Sequence, residues 1–263
     1  MSELIGLRGV TVLTEGHESL AEVDLSVTEG ACTLIMGPSG SGKSTLLKVA
    51  AGLIPPDRGT VSLRGEDLSG VSERRMLEFR RENGFVFQDG ALWENKSILE
   101  NLALPLQVHH PEMGESRIRE RALEMLARAG LADSPGLRPA QLSGGERKIA
   151  SFLRATIGDP SVVFLDEPTL SIDHTMSELI TGMIRDLKAR GRTILAVTHD
   201  PRLASLIADR LAVIEAGRLI VEGPFDEVKR SSDARVSGIL ARVLGEISSF
   251  DTDLLDLLGS GAP

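Results

Sequence analysis

Tyrosine is absent from this 263-residue chain, and tryptophan and cysteine occur once each, at Trp93 and Cys32. A single cysteine excludes an intrachain disulfide framework. Cys32 stands in the apolar run ACTLIM and reads as a small buried hydrophobe. Positive charge is also short: 29 Lys and Arg against 38 Asp and Glu leave a formal net charge of −9. That balance argues against a broad nucleic-acid-binding surface, which needs clustered cations to neutralise phosphates. No apolar run approaches the ~20 residues of a helical membrane span, so the chain is not expected to cross a bilayer alone. The opening MSELIGLRG lacks the basic and apolar regions of a signal peptide, which makes a cytoplasmic site the default expectation. What is abundant is ordinary core material. Hydrophobic residues make up 41%, which excludes disorder for most of the chain.

Residues 4–36 mix short β-rich pieces with glycine and acidic turns. VTVL, VDLSV and CTLIM read as strands, and GTVSLRGEDL as a strand-turn, together a strand layer. From about 89 to 158 the pattern turns helical. Ile118, Ala122, Leu123, Met125, Leu126 and Ala129 form a stripe stopped by Gly130, and a second helix is expected from Gly145 through Leu153. SVVFLDEP and TILAVTH read as buried strands joined through a helix of about fifteen residues, a βαβ arrangement with a parallel sheet. RLAVIEAGRLIVEG reads as a hairpin around Ala216-Gly217. Val236, Ile239, Leu240, Val243, Leu244 and Ile247 mark a last helical stripe.

Residues 37–45 read GPSGSGKST, a full match to the GxxxxGK[ST] phosphate loop, between an expected strand and an expected helix. Gly37, Gly40 and Gly42 let backbone N–H groups turn around phosphate oxygens, with Pro38, Ser39, Ser41 and Thr45 completing the loop. The helix that follows points its positive end at the same place. Lys43 is expected to reach the outer phosphates of a nucleotide and Ser44 to ligate Mg²⁺.

VVFLDEP, residues 162–168, puts a carboxylate at the end of a buried strand. Asp166 is the candidate metal-holding acid and Glu167 the candidate to polarise an attacking water. His199 ends the strand ILAVTH at the carboxyl edge of the sheet, where a neutral imidazole could bond a terminal phosphate. His17, His109, His110 and His174 have no such placement and read as surface or loop residues.

Residues 142–146 read LSGGE, and with them the sequence resembles the ATP-binding cassette (ABC) ATPases of transporters from about residue 4 to 246. The family's order of motifs is matched by GPSGSGKST, Gln88, LSGGE, VVFLDEP, Ser171-Ile172-Asp173 and His199. The resemblance implies an α/β fold: a P-loop ABC ATPase with a RecA-like core, an N-terminal antiparallel β-subdomain and an inserted α-helical subdomain. Residues 1–246 would form one domain, with core at 1–88 and 159–222 and the helical subdomain at 89–158. Residues 223–263 would form a C-terminal helical extension and tail. It further implies ATP and Mg²⁺ as cofactors. Ser44, Gln88 and Asp166 would be metal ligands. Glu167, His199, Gln88 and Lys43 would be catalytic, and Ser143, Gly144 and Gly145 would contact the ATP of a second cassette. A dimer follows, most simply a homodimer.

The chain departs from the family pattern in places. Glu146 replaces the commoner Gln, and Ile149 stands where a basic residue is frequent, while Arg154 keeps its usual place. Leu13-Thr14 fall where the family carries an adenine-stacking aromatic, a contact worth ~1–3 kcal/mol by analogy with other base–aromatic stacks. The segment FQDGALWENKSILENLALPL and the later DARVSGIL look like those of ATPases from mammalian-cell-entry (MCE) phospholipid transport systems. That likeness implies an integral membrane permease, an MCE-domain lipid-binding protein and, in some systems, a STAS-domain regulator, with this chain on the cytoplasmic face of the inner membrane. Trp93 would lie in the groove that receives the permease, or in plain core. Another cargo (amino acids, metal chelates, lipoproteins) and a soluble nucleotide-switched interaction protein are the alternative readings. In the tail, Phe250, Leu254, Leu257 and Leu258 have helix-in-groove spacing and would pack on a neighbouring chain; a frayed terminus is the bland alternative.

Overall fold

The computed structural model describes residues 2–243. The tail residues Phe250, Leu254, Leu257 and Leu258, and Leu244 and Ile247 of the last stripe, lie outside the described residues. Strands β1 (Glu3–Thr14) and β2 (His17–Thr28) form a long hairpin that turns at Glu15-Gly16, both at positive φ. VTVL and VDLSV are only the C-terminal portions of these strands. Register shifts along the pair, one of them spanning Gly9, bend a hairpin that would otherwise run straight. β4 (Arg58–Leu63) and the two-residue β5 (Glu66–Asp67) complete an antiparallel sheet in the order β2-β1-β4-β5.

The second sheet has six strands: β3 (Cys32–Met36), β6 (Asn83–Val86), β7 (Val162–Asp166), β8 (Thr193–Val197), β9 (Arg210–Glu215) and β10 (Arg218–Pro224). Their order is β10-β9-β3-β8-β7-β6. All pairs are parallel except β9 with β10, which form the expected hairpin at Ala216-Gly217. The inner strands β3, β7 and β8 are buried on both faces, which explains why β7 and β8 read as continuous apolar runs. Successive side chains feed opposite cores. Val163 and Leu165 pack with the helices on one face, while Val162 and Phe164 pack toward the antiparallel sheet and helix α1 (Lys43–Ala50).

Between β6 and β7 the chain runs through α3 (Ile98–His109), α4 (Glu115–Arg128) and α5 (Gly144–Thr156). α4 ends at Gly130, which holds φ +78°, as the sequence pattern demands. Between β7 and β8 lies α6 (His174–Ala189), one residue longer than the expected fifteen. Four elements have no counterpart in the sequence reading: α2 (Glu73–Arg81), strand β6, and the short helices α7 (Pro201–Ile207) and α8 (Phe225–Lys229). α2, ERRMLEFRR, is mostly charged and buries only Phe79, so it has no apolar stripe to announce it. The last helix, over 234–243, buries Val236, Ile239, Leu240 and Val243, the described part of the expected stripe. Among the described residues no helix is long and apolar enough to cross a membrane.

Candidate functional site

β3 sits in the middle of the parallel sheet, between β9 and β8. The loop that leaves it therefore opens beside the carboxyl ends of β8 and β7, the edge where open parallel sheets bind ligands. This brings GPSGSGKST, Asp166-Glu167 and His199 together from three separate stretches of chain.

The loop is a tight construction. A Cβ on Gly37 would meet the Ile214 carbonyl oxygen at 2.0 Å, and one on Gly42 the Ser19 carbonyl oxygen at 2.4 Å. Gly42 holds φ +97° at the N-terminus of α1, a backbone open to glycine and strained for other residues. Gly40 also has positive φ, and it and Ser39 are exposed, with open space around the Gly40 Cβ direction. Gly217 N donates to the Ser41 carbonyl, tying the loop to the β9–β10 turn. Pro38 is half-buried and Thr45 is half-buried on the first turn of α1. Lys43 is 7% exposed, and its Nζ donates to the Gly37 and Pro38 carbonyls, both at 2.8 Å. Burial pulls the Lys43 pKa down, while the Glu167 and Asp166 carboxylates pull the other way. The ammonium is thus folded into the loop's own cradle, where phosphate oxygens compete well against neutral carbonyls.

Ser44 Oγ donates to Asp166 Oδ1 at 2.9 Å, joining the loop to the end of β7. Gln88 is exposed and lines, with Ser44 and Asp166, a cleft of about 630 Å³ that also touches Gly144 and Ser171. A hydroxyl, a carboxylate and an amide oxygen are the donors a hard cation takes, so this set fits Mg²⁺ with phosphate oxygens and water completing its shell.

Glu167 is 6% exposed and holds φ +48°, a conformation that costs a non-glycine residue on the order of 1 kcal/mol. It is fixed at every end. Its N–H donates to the Val197 carbonyl, its carbonyl accepts from Lys148 Nζ at 2.8 Å, and its Oε2 accepts from His199 N at 3.3 Å. His199 Nε2 lies 3.2 Å from Glu167 Oε1. Burial is the largest influence on the Glu167 carboxyl and raises its pKa; the His199 N–H and the two nearby lysines oppose it. A partly desolvated carboxylate facing a metal-and-phosphate site suits a proton acceptor.

Ser143 caps α5. Its Oγ accepts from Glu146 N at 3.2 Å, and Glu146 Oε2 accepts from Ser143 N at 2.8 Å. The commoner Gln is replaced here by an acid that works as the second half of a capping box. Gly144 is exposed at the helix start, while Gly145 lies against α6, where a Cβ would meet Met176 Cγ at 2.7 Å. Asp173 caps α6 by accepting from Met176 N at 3.0 Å. Ser143 is exposed at the start of α5, and Gly144 lines the same cleft as Ser44, Gln88 and Asp166.

Trp93 is 54% exposed and so is no part of the core. Ile98, Leu102 and Leu106 behind it are buried. The sequence reading missed Asn101, which holds this loop: it accepts from Trp93 N and donates toward the Trp93, Lys96 and Ser97 carbonyls. Its signal was present as the one uncharged polar residue in ENLALPL. Arg154 donates to the Gly90 and Ala91 carbonyls and fixes the other end of the same loop. Lys148 was also missed. Of the remaining histidines, His17 and His174 are exposed, whereas His109 is half-buried and burial lowers its pKa. Cys32 is buried, and burial pushes its thiol pKa up, so it is an inert hydrophobe. Leu13 is 49% exposed beside the hairpin turn.

A family model described as "ABC transporter" matches residues 20–170. The methionine import ATP-binding protein MetN 1 of Rhodococcus jostii is 36% identical over 239 residues, covering 90% of this chain and 70% of the relative. The probable ribonucleotide transport ATP-binding protein mkl of Mycobacterium tuberculosis is 34% identical over 237 residues, covering 90% of this chain and 66% of the relative. A further MetN, from Rhizobium johnstonii, is matched over 61% of its length, so the chain spans under two thirds of some of these proteins. Among solved structures, the dimeric post-hydrolysis state of the ATP-binding cassette MJ0796 with ADP and Pi aligns with a TM-score of 0.78 at 32% identity, covering 84% of this chain and 98% of that one. A nucleotide-free cassette from an ABC transporter aligns with a TM-score of 0.75 at 27% identity, over 90% and 98%.

Proposed function

The chain belongs to the ABC transporter family of ATP-binding cassettes, and we propose that it is the ATPase subunit that powers phospholipid transport across a cell envelope. The observation that carries the ATPase reading is the joined set of Ser44, Asp166, Glu167 and His199 at one sheet edge. Lys43 exchanges its carbonyl partners for phosphate oxygens. Ser44, Asp166 and Gln88 hold Mg²⁺, which when bound screens the phosphate charge. Glu167 accepts a proton from the attacking water, and His199 orients that carboxylate. The start of α5 at Gly144 and Gly145 presents N–H groups, beside the Ser143 hydroxyl, to the ATP held by a second copy of the chain. Two chains then close head-to-tail on two ATP molecules, and the Gln88–Trp93 loop passes the motion to a permease at the cytoplasmic face of the inner membrane.

The cargo reading rests on the segment from Phe87 to Leu106 and on DARVSGIL, and on the exposed Trp93, which suits a docking surface. It brings an MCE-domain lipid-binding protein and a possible STAS-domain regulator as partners. The methionine import relatives favour a second reading, an amino-acid transporter with the same ATPase chemistry. Purification of the chain in detergent from its native membrane, with mass spectrometry of proteins and lipids, separates them. Recovery of a permease, an MCE-domain protein and phospholipid supports the first. A permease with a soluble amino-acid-binding protein supports the second and rejects the lipid reading.

A further inference from the structure

α5 starts at the exposed Ser143-Gly144 edge and ends against β6, and one of its side chains reaches into the catalytic edge of the same chain. Lys148 is 9% exposed, and its Nζ donates to the Glu167 carbonyl at 2.8 Å. A buried ammonium is costly unless it is matched by charge and hydrogen bonds. Here the Glu167, Asp166 and Asp89 carboxylates all favour its charged form against the pull of burial. The acceptor is the carbonyl of the residue that holds φ +48° after β7. That peptide is pinned on its other side by the Glu167 N–H bond to β8 and by the Leu170 N–H, which also reaches the carbonyl. Lys148 therefore supplies the contact through which α5 sets the strained backbone under the Glu167 carboxylate. The chain has Ile149 at the next position, buried at 1%, so this work falls on Lys148.

We propose that Lys148 is a positioning residue that ties the Ser143-Gly144 end of α5 to the backbone of Glu167, so that the carboxylate is correctly aimed only when α5 is correctly seated. The inference rests on the ATPase reading above. Movement of α5 against the parallel sheet then changes the aim of Glu167 without changing the nucleotide's own contacts. The Lys148 ammonium donates to the Glu167 carbonyl, and it acts through Glu167.

The test compares the purified full chain with Lys148→Met, which keeps the length and removes the ammonium, and with Lys148→Arg, which restores a buried donor. Steady-state ATP hydrolysis is read as kcat and KM separately, with ATP affinity measured directly. A small misplacement of a reacting group costs ~10-fold or more in turnover. The expected result is that loss in kcat for Lys148→Met, KM and ATP affinity within about threefold of the parent, and partial recovery of kcat by Lys148→Arg. ATP-driven association of a Glu167→Gln chain is expected to be unchanged when Lys148→Met is added. Wild-type kcat in Lys148→Met overturns the proposal. So does a joint loss of kcat, ATP affinity and association without rescue by Arg, which marks a purely structural lysine. If the unmodified chain turns over no ATP, the ATPase reading itself fails, a result distinct from either.

Discussion

Glu167 carries the sharpest expectation at the scale of single residues. Replacing it with Gln leaves the shape of the site and removes the proton acceptor. Turnover is expected to fall ~10²–10⁴-fold, with ATP affinity retained, as a nucleotide-binding assay run beside a phosphate-release assay will show. Glu146 carries a pH expectation. Its hydrogen bonds to Ser143 hold its pKa below the ordinary carboxylate range. A lowered folded-state pKa stabilises the fold above the unfolded value and loses that support as pH falls through the folded value. Glu146→Gln, which keeps the cap geometry, is expected to differ in stability from the parent at neutral pH and to converge with it in acid; denaturant titrations at pH 7 and below pH ~4 measure it. The residues named by contiguous motifs were legible in the sequence because phosphate chemistry demands them side by side: Lys43 and Ser44 in one loop, Asp166 and Glu167 at one strand end. Lys148 and Asn101 were not legible. Their partners lie on backbone atoms, and in the case of Lys148 on a different element, so no spacing rule announces them.

Elements were legible in proportion to how periodic their burial is. α4, α5, α6, β7 and β8 each bury a regular stripe or a full run and were visible in the sequence. β6 was not, because NGFV is four residues long and its Gly84 is a poor strand residue. Close packing is the reason for that glycine: a Cβ there would lie 2.2 Å from the Ala155 carbonyl oxygen of α5. Gly84→Ala is therefore expected to destabilise by ~1–3 kcal/mol, read as a shift in the denaturant midpoint with unchanged slope. The loop from Trp93 to Ser97 hangs on Asn101, which is fully buried. Asn101→Leu strips several backbone groups of their partner, at ~1–3 kcal/mol for a buried polar group left unmatched. Trp93 reports it directly, since the chain has no other tryptophan and no tyrosine. Its emission is expected at solvent-like wavelengths in the free chain, and to move to shorter wavelength when a permease covers it. An unchanged spectrum in the assembled complex would remove Trp93 from the docking surface.

At the scale of the whole molecule, one chain holds a phosphate loop at Gly37–Thr45 and a second helix start suited to anions at Ser143-Gly144. Each half makes sense only if a second chain supplies the other. The most direct measurement mixes two defective chains. Lys43→Ala disables the loop and keeps Ser143; Ser143→Arg blocks the helix start and keeps Lys43. Each alone is expected to be inactive. Mixed dimers contain one site with an intact loop and an intact partner serine, so an equimolar mixture is expected to recover up to about a quarter of the parental rate if chains pair at random and sites work independently. Recovery of ATP hydrolysis on mixing is the result this account predicts. A Ser143→Arg chain that hydrolyses ATP at the parental rate by itself would contradict it.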